Sequence, residues 1–382
     1  MARVLLIGTV ESKTAELAYL SEALARHGME ADLIDVSLGT RGTAVGSAEK
    51  LSRMLAAGES GGRAAQERAA GAIAAVAIGG GTGGEIALGA LKALPAAFPK
   101  VLITTMAFDP RAALADTAIT LVPTLCDIEG LNPLLCTAFE NASAMVAGLA
   151  RAEKVTRPQR PNVAVTTLGA TGPAGAAIAR ALQAGGYDAT VFHANGYGGA
   201  AFSRFVSEGG AAGVIDLNVH ELGRLRLAGA HVPMPLRFRS ADALPRVVLP
   251  GGLNFIGLGA LATIAQPYLA RRHYQHSGHF THVVLTEDEM ADQARALAAE
   301  LNHAQAPTHL IVPMGGFSHE DRPGGAIEAP ELRAIATEIL TAEARAYTLT
   351  RLPHHINAPE TADAAVTALF ERMPDARDLT LP

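Results

Sequence analysis

Cysteine is scarce in this chain: Cys126 and Cys136 stand in one segment and have no further partners. That excludes a disulfide framework and fits free, buried thiols in a reducing cytosol. Tryptophan is absent and aromatic residues make up 4% of the sequence, while alanine and glycine abound, a composition typical of a bacterial-type α/β enzyme. No basic run occurs and the formal net charge is −6, so a nucleic-acid surface is not expected. No apolar run approaches membrane-spanning length, and the chain opens directly on the apolar strand ARVLLIG, which leaves no room for a signal peptide. These absences describe a cytoplasmic protein with no membrane or nucleic-acid partner. A chain of 382 residues exceeds what one core normally serves, so two domains are expected.

What is present is arranged around Val76 to Gly84, VAIGGGTGG, which runs straight into the helical pattern EIALGALKAL. A β-branched run that ends in glycines and opens a helix presents unpaired backbone N–H groups at a positively polarised terminus. Such a turn cradles an anion, usually a phosphate. It also serves simply to let a helix pack closely on its strand, and this stretch alone leaves both readings open. It is neither the G-x-G-x-x-G dinucleotide fingerprint nor a loop closed by Lys-Ser or Lys-Thr.

Two neighbouring strand ends strengthen the ligand reading. Val4 to Gly8 leads through Thr9-Val10-Glu11-Ser12-Lys13-Thr14 into a helix over Lys13 to Arg26, with Ser12 placed as a possible helix cap. Lys100 to Thr104 ends in Thr105-Met106. Open parallel sheets take ligands at the carboxyl ends of their strands, so three small or hydroxylated loops should converge there. Glu30 to Asp35 reads as a further strand whose Asp35 stands where a dinucleotide site would hold a ribose, and Ser37 to Gly46 as a polar, Gly-rich loop. Asn132 and Pro133 read as the cap and first residue of a helix to about Leu149.

After a charged linker at Lys154 to Pro161 the same grammar restarts. Strands are expected at Asn162–Thr167, Asp188–Phe192, Gly213–Leu217 and Arg246–Leu249, with Pro173 opening a helix. The fold class is therefore α/β, two Rossmann-like, doubly wound parallel-sheet subdomains over 1–152 and 162–375, with a trailing tail from Met373. His273, His276, His279 and His282 recur every third residue, but Ser277-Gly278 interrupts any helix and no Cys or carboxylate completes a tetrahedral set; they read as loop histidines and no metal site is assigned to them. His193, at a strand end before a glycine loop, and His355 are acid–base candidates. The long loop from Val312 to Gly325 carries Asp321 and has the length of a functional loop.

Read together, Gly8-Thr9 with Glu11-Ser12-Lys13, Gly79 to Gly84, Thr105-Met106-Ala107, Asp127 with Gly130-Leu131-Asn132, Phe192-His193-Ala194, Pro250-Gly251, Gly316 with Ser318 and Asp321, and His355-Ile356-Asn357 resemble, in order, the Tm-1-like ATP-binding family, also catalogued as UPF0261. The likeness covers nearly the whole chain. In plants such sequences resemble the N-terminal half of a tomato mosaic virus resistance protein that inhibits viral RNA replication. The resemblance implies ATP, with a divalent ion such as Mg²⁺, bound by the first subdomain, and a homodimer whose interface lies near the nucleotide. It places nucleotide contacts on Thr9, Ser12, Lys13, Gly79, Gly80, Gly81, Thr82, Gly83, Gly84, Thr105 and Met106; Glu11, Asp127 and Asn132 belong to the same motifs and join that set. Glu11, Asp109 and Asp127 are the carboxylates near these loops, thin support for fast hydrolysis.

The chain also departs from the family. Glu11-Ser12-Lys13-Thr14 stands where Asp-Thr-Lys-Gly is usual, and Gly81 and Thr82 shift the loop hydroxyl by one position. Asn254 replaces an Asp, Gly257 an Asn, Ser277-Gly278 an Asn-Pro, Gly315 a Lys and Ala358 an Asp, and Arg224-Leu225-Arg226 stands in place of a glycine loop. Loss of these polar groups changes whatever chemistry they support. Two further readings stand beside the ATP one. The first is an enzyme acting on a small phosphorylated or sugar-like substrate in an interdomain cleft, with His193, Glu221, Asp321 and His355 as acid–base groups. The second is a dimeric protein-interaction module.

Overall fold

Apolar runs alternate faces from the first strand onward. Val4 and Leu6 pack on one side of the sheet and Leu5 and Ile7 on the other, all buried, as a strand covered on both faces requires. A computed structural model describes residues 1–39, 46–152, 160–229 and 232–373. Most of the polar loop over 37–46, nearly all of the charged linker over 154–161 and the tail beyond Met373 lie outside the described residues. The chain divides into two units, Met1–Thr156 and Arg157–Pro382.

In the first unit, strands β1 (Ala2–Gly8), β2 (Met29–Asp35), β3 (Ala72–Gly79), β4 (Lys100–Thr104) and β5 (Thr120–Pro123) alternate with helices α1 (Val10–Arg26), α2 (Ser47–Arg68), α3 (Gly81–Lys92), the short α4 (Arg111–Leu114) and α5 (Pro133–Arg151). All strand pairs are parallel, in the order β2-β1-β3-β4-β5. The chain leaves β1 in one direction and β3 in the other, so a crevice opens between their carboxyl ends. Asn132 caps α5 as expected: its side-chain oxygen accepts from the N–H groups of Leu134 and Leu135 at 3.1 and 3.0 Å.

The expected start of α1 needs correction. Thr9, not Ser12, is the N-terminal flanking residue, the helix begins at Val10, and Lys13 (φ −131°, ψ 32°) kinks it. Ser12 instead meets the Thr9 hydroxyl at 2.7 Å. Asp35 is equally occupied, accepting from Val10 N at 3.1 Å and from the Ser37 amide and hydroxyl. Burial pushes its carboxyl up, but these hydrogen bonds outweigh that and hold it below the usual carboxylate range.

The second unit repeats the plan. Strands β6 (Asn162–Thr167), β7 (Asp188–His193), β8 (Gly213–Asn218) and β9 (Arg246–Gly251) alternate with α6 (Gly172–Ala184), α7 (Gly198–Ser207) and α8 (His220–Arg226). Beyond β9 come β10 (Phe255–Leu258), α9 (Gln266–Leu269), β11 (His273–Gln275), β12 (Thr281–Val284), α10 (Glu287–Leu301), β13 (Thr308–Pro313), α11 (Pro330–Ala342), β14 (Thr348–Leu352) and α12 (Pro359–Phe370). The main sheet is parallel, ordered β14-β13-β9-β8-β6-β7, and its connections reverse between β6 and β8. β10, β12 and β11 form a separate antiparallel sheet. The spaced histidines therefore sit on and around a hairpin rather than in an unstructured loop, because β-branched Thr281, Val283 and Val284 pair with Phe255–Leu258 and are buried there.

Candidate functional site

At the β1/β3 crevice the glycine loop divides into two kinds of position. A Cβ on Gly79 would lie 2.3 Å from the Gly83 carbonyl carbon, and one on Gly84 would lie 2.7 Å from the Phe108 ring. Close packing accounts for both. Gly80 takes φ −75° and ψ −135°, a combination outside the regions open to other residues. Gly81 and Gly83 differ: neither has a positive φ, and added Cβ atoms would meet nothing nearer than Ala107 or Thr9, at 3.8 Å each. Glycine in a helix is less favourable than alanine by up to about 1 kcal/mol, and neither packing nor backbone geometry requires it at these two positions. What their bareness does provide is open approach to the N–H groups of Gly81, Thr82 and Gly83, which have no intrahelical acceptor.

These groups face a cavity of about 240 Å³ lined also by Thr9, Glu11, Ser12, Lys13 and Asp127. The Lys13 kink brings its side chain across to the β5–α5 loop, where the ammonium donates to the Ile128 carbonyl and lies 3.2 Å from Glu129. Glu11 accepts from Leu38 N at 2.9 Å and so tethers the chain after β2 to α1. Asp127 accepts from Ile128 N at 2.8 Å, and one of its oxygens lies 3.9 Å from the Cβ position of Gly80, beside the Thr105 hydroxyl at 3.6 Å. Met106 lies outside the cavity lining at a strained φ of 56°, and Asn132 is taken up by its cap. Asp109 turns to Arg111, whose guanidinium holds its carboxyl at about 2.

Sequence reasoning missed Glu129, Leu38 and Ile86, which also line the cavity, and Glu16, buried beneath it and accepting from Gly130 N at 2.8 Å. Glu16 lies on the inner face of α1, a position legible from helical period; its partner lies 114 residues away.

The structure separates the four acid–base candidates of the second unit. Glu221 is fully buried, with one oxygen accepting from Gly196 N and Gly199 N at 2.8 and 3.1 Å and the other 2.6 Å from Arg237 Nε. Asp321 is also fully buried, bonded to Phe317 N, Ala329 N and Arg333. Burial pushes its carboxyl above the usual range against those hydrogen bonds. His355 is held at both ring nitrogens, Nε2 to the Ser318 carbonyl at 2.9 Å and Nδ1 by Asn357 N at 3.1 Å, and burial lowers its pKa. Every polar atom of these three side chains is committed to fixed backbone or to an ion pair, which holds the loops around them in place. His193 lines a cavity, which it shares with His220, Arg224, His276 and His282. Those partners lie on α8 and around the β11–β12 hairpin, and nothing in local sequence joins them.

Two doubly wound parallel sheets, the first with a glycine-opened helix at its switch point, make this an α/β protein of the Rossmann-like class. The chain belongs to UPF0261: the model for the "Uncharacterised protein family (UPF0261) N-terminal domain" matches residues 48–155 and that for the C-terminal domain matches 160–373. The UPF0261 protein mlr3387 of Mesorhizobium japonicum is 30% identical over 395 residues, covering 97% of this chain and 99% of the relative. UPF0261 protein RA0729 of Rhizobium meliloti is likewise 30% identical over 397 residues, covering 96% and 98%. The tomato ToMV resistance protein Tm-1(GCR237) is 29% identical over 314 residues, 79% of this chain but 42% of that protein. Among the described residues no group of three or more His, Cys, Asp or Glu is placed to hold a metal ion, and no helix is long and apolar enough to cross a membrane.

Proposed function

We propose that the first unit binds ATP with its phosphates on the Gly80–Gly84 turn, the N-terminus of α3 supplying N–H donors and Lys13 a single positive charge. The observation that carries the reading is the pair Gly81 and Gly83, whose missing side chains serve neither packing nor backbone geometry yet clear the approach to those donors. Hydroxyls of Thr9 and Thr105 flank the same turn. Asp127 is the carboxylate set beside it, as Mg²⁺ requires when it is held by one or two carboxylates together with substrate phosphates. Bound there, the ion would offset phosphate charge.

The test is titration of Mg²⁺-ATP into the wild-type chain and a Gly81→Ala, Gly83→Ala variant, with phosphate release followed in the same samples. The two methyl groups enter open space, so the variant should unfold at the wild-type temperature or above it, each Gly→Ala change adding up to about 1 kcal/mol of stability. ATP affinity should nevertheless fall about tenfold or more, since each methyl blocks an N–H donor. Equal binding by the two chains, or none by the wild type, sinks the reading. Phosphate release separates a slow ATPase from a sensor.

The same reading includes a dimer that pairs near this site. Leu125, 84% exposed, and the half-exposed Leu131 and Leu134 flank Asp127 and Glu129 in sequence, so apolar surface and cavity share the β5–α5 loop. Sedimentation should show a dimer that a Leu125→Glu, Leu134→Glu chain no longer forms; a wild-type monomer at all concentrations overturns this part.

A further inference from the structure

The second unit has a cavity of its own, of about 140 Å³, which the ATP reading does not use. It lies beyond the carboxyl ends of β6, β7 and β8, where the strand order reverses and doubly wound sheets take their ligands. The antiparallel β11–β12 hairpin closes its other side with His276, Phe280 and His282.

Four rings run through its wall in a column. His220 packs on Phe255 (centroids 4.5 Å apart), Phe255 on His282 (4.0 Å, 21°) and His282 on His276 (5.1 Å, 10°). His220 is fixed by its Nδ1, 3.1 Å from the Gly252 carbonyl, which makes that nitrogen the donor. Gly257 leaves room for this arrangement, since a Cβ there would stand 2.7 Å from His220 Nε2 and 3.1 Å from an Arg224 nitrogen.

His282 is 93% buried and lines the cavity, its ring held between those of Phe255 and His276. A neutral imidazole carries one N–H donor and one acceptor nitrogen, which a ligand in the cavity can engage. Burial, reinforced by its cationic and imidazole neighbours, lowers the pKa of His282 to about 3, and burial with Arg224 does the same to His220. Both rings are neutral at neutral pH. Among the described lining residues the fixed charge is the Arg224 guanidinium, which donates to the Gly229 carbonyl, and none is a carboxylate.

We propose that this cavity binds a small planar carboxylate, its charged end toward Arg224 and His282 and its flat body along the ring column. The volume excludes a nucleotide. One guanidinium suits a singly charged carboxylate better than a phosphate dianion, and stacked rings favour a flat ligand over a tetrahedral one.

Benzoate is the probe, with cyclohexanecarboxylate and inorganic phosphate as comparators, titrated calorimetrically into the full chain. Benzoate should bind once per chain and about tenfold more tightly than either comparator, and affinity should drop about tenfold in His282→Phe, which keeps the column but not its nitrogens, and in Arg224→Met. Should either variant fold poorly, the wild-type chain carries a second readout: benzoate should shift the imidazole C–H resonances of His276 and His282 and leave those of His27 and His303 in place. No saturable binding, equal affinity for the non-planar or tetrahedral anion, unmoved His276 and His282 resonances, or affinity unchanged in both folded variants overturns the proposal. Stoichiometric Zn²⁺ binding that excludes benzoate overturns it in favour of a metal site. The result is independent of the first unit, since the Gly81→Ala, Gly83→Ala chain should bind benzoate as the wild type does.

Discussion

Replacing Arg237 with methionine is expected to destabilise the second unit by about 3–5 kcal/mol, the usual effect of removing one partner from a buried ion pair. Arg237 is 1% exposed and ties together the end of β8 and the start of α8. Its Nε meets Glu221 at 2.6 Å, its two terminal nitrogens meet the Asp216 carboxylate at 2.9 Å each, and one of them also meets the Asn218 carbonyl at 2.8 Å. The rings of Phe202 and Phe238 lie 5.0 and 4.6 Å from the guanidinium carbon. Without the cation, Asp216 and Glu221 remain buried carboxylates lacking their counter-charge, and Glu221 also loses the partner that orients it toward Gly196 and Gly199.

Urea unfolding of the full chain measures the loss, and two comparisons test its cause. Arg239→Met removes a partly exposed pair with Asp242, and the expected loss is about 1 kcal/mol or less. Adding Asp216→Asn and Glu221→Gln to Arg237→Met should recover part of the loss, because the stranded charges go with the cation. A loss in Arg237→Met no larger than in Arg239→Met would show that the triad is not what holds this end of β8 and α8.

The second large effect is acid destabilisation that begins well above the carboxylate range. His220 and His282 have pKa values lowered to about 3, burial being the largest cause in both; Arg224 adds to it for His220, and His220, His276 and Arg224 add to it for His282. In the unfolded chain a histidine titrates near 6.5. Between about pH 6.5 and 3, then, the unfolded state binds more protons than the folded one, and stability rises with pH across that window. It is complete above about 6.5 and is lost as pH falls, at a limiting slope of about 1.4 kcal/mol per pH unit for each histidine.

The informative range is pH 6.5 to 5, before carboxylates protonate. His282→Phe should flatten the dependence there, by at most about 1.4 kcal/mol per pH unit, since one buried imidazole no longer accepts a proton on unfolding while His220, and His309 and His355, also lowered by burial, still do. An unchanged slope would mean that these rings protonate in the folded state, which would also undercut the neutral wall inferred for the second cavity.

Much of the architecture was legible in the residues. Five-to-eight-residue apolar runs fall on β1, β3, β4, β6, β8 and β9, and their distance from helical patterns suffices for a parallel sheet, because both faces must be covered. Asn132-Pro133 and Pro173 marked helix starts through local chemistry that needs no partner from elsewhere. The glycine loop was legible as an anion cradle, but which of its glycines serve packing was not, since that depends on Phe108 and on the return of Gly83 against Gly79.

The histidines mark the boundary most clearly. Ser277-Gly278 breaks any helix that would align the four histidines, so local sequence points to a loop, yet Thr281 to Val284 pairs with β10, and that pairing carries His282 into contact with Phe255 and, through it, His220 on α8. Glu221, Asp321 and His355 had the residue types of acid–base groups, but Arg237, Arg333 and the Ser318 carbonyl occupy them. By itself the sequence determined most of the parallel strands, the Asn132 cap and the doubly wound class, because hydrophobic period and terminal chemistry act over a few residues. Only the tertiary structure decided which polar groups are already satisfied and which still face a cavity, because hydrogen bonds and burial are settled between residues tens to more than a hundred positions apart.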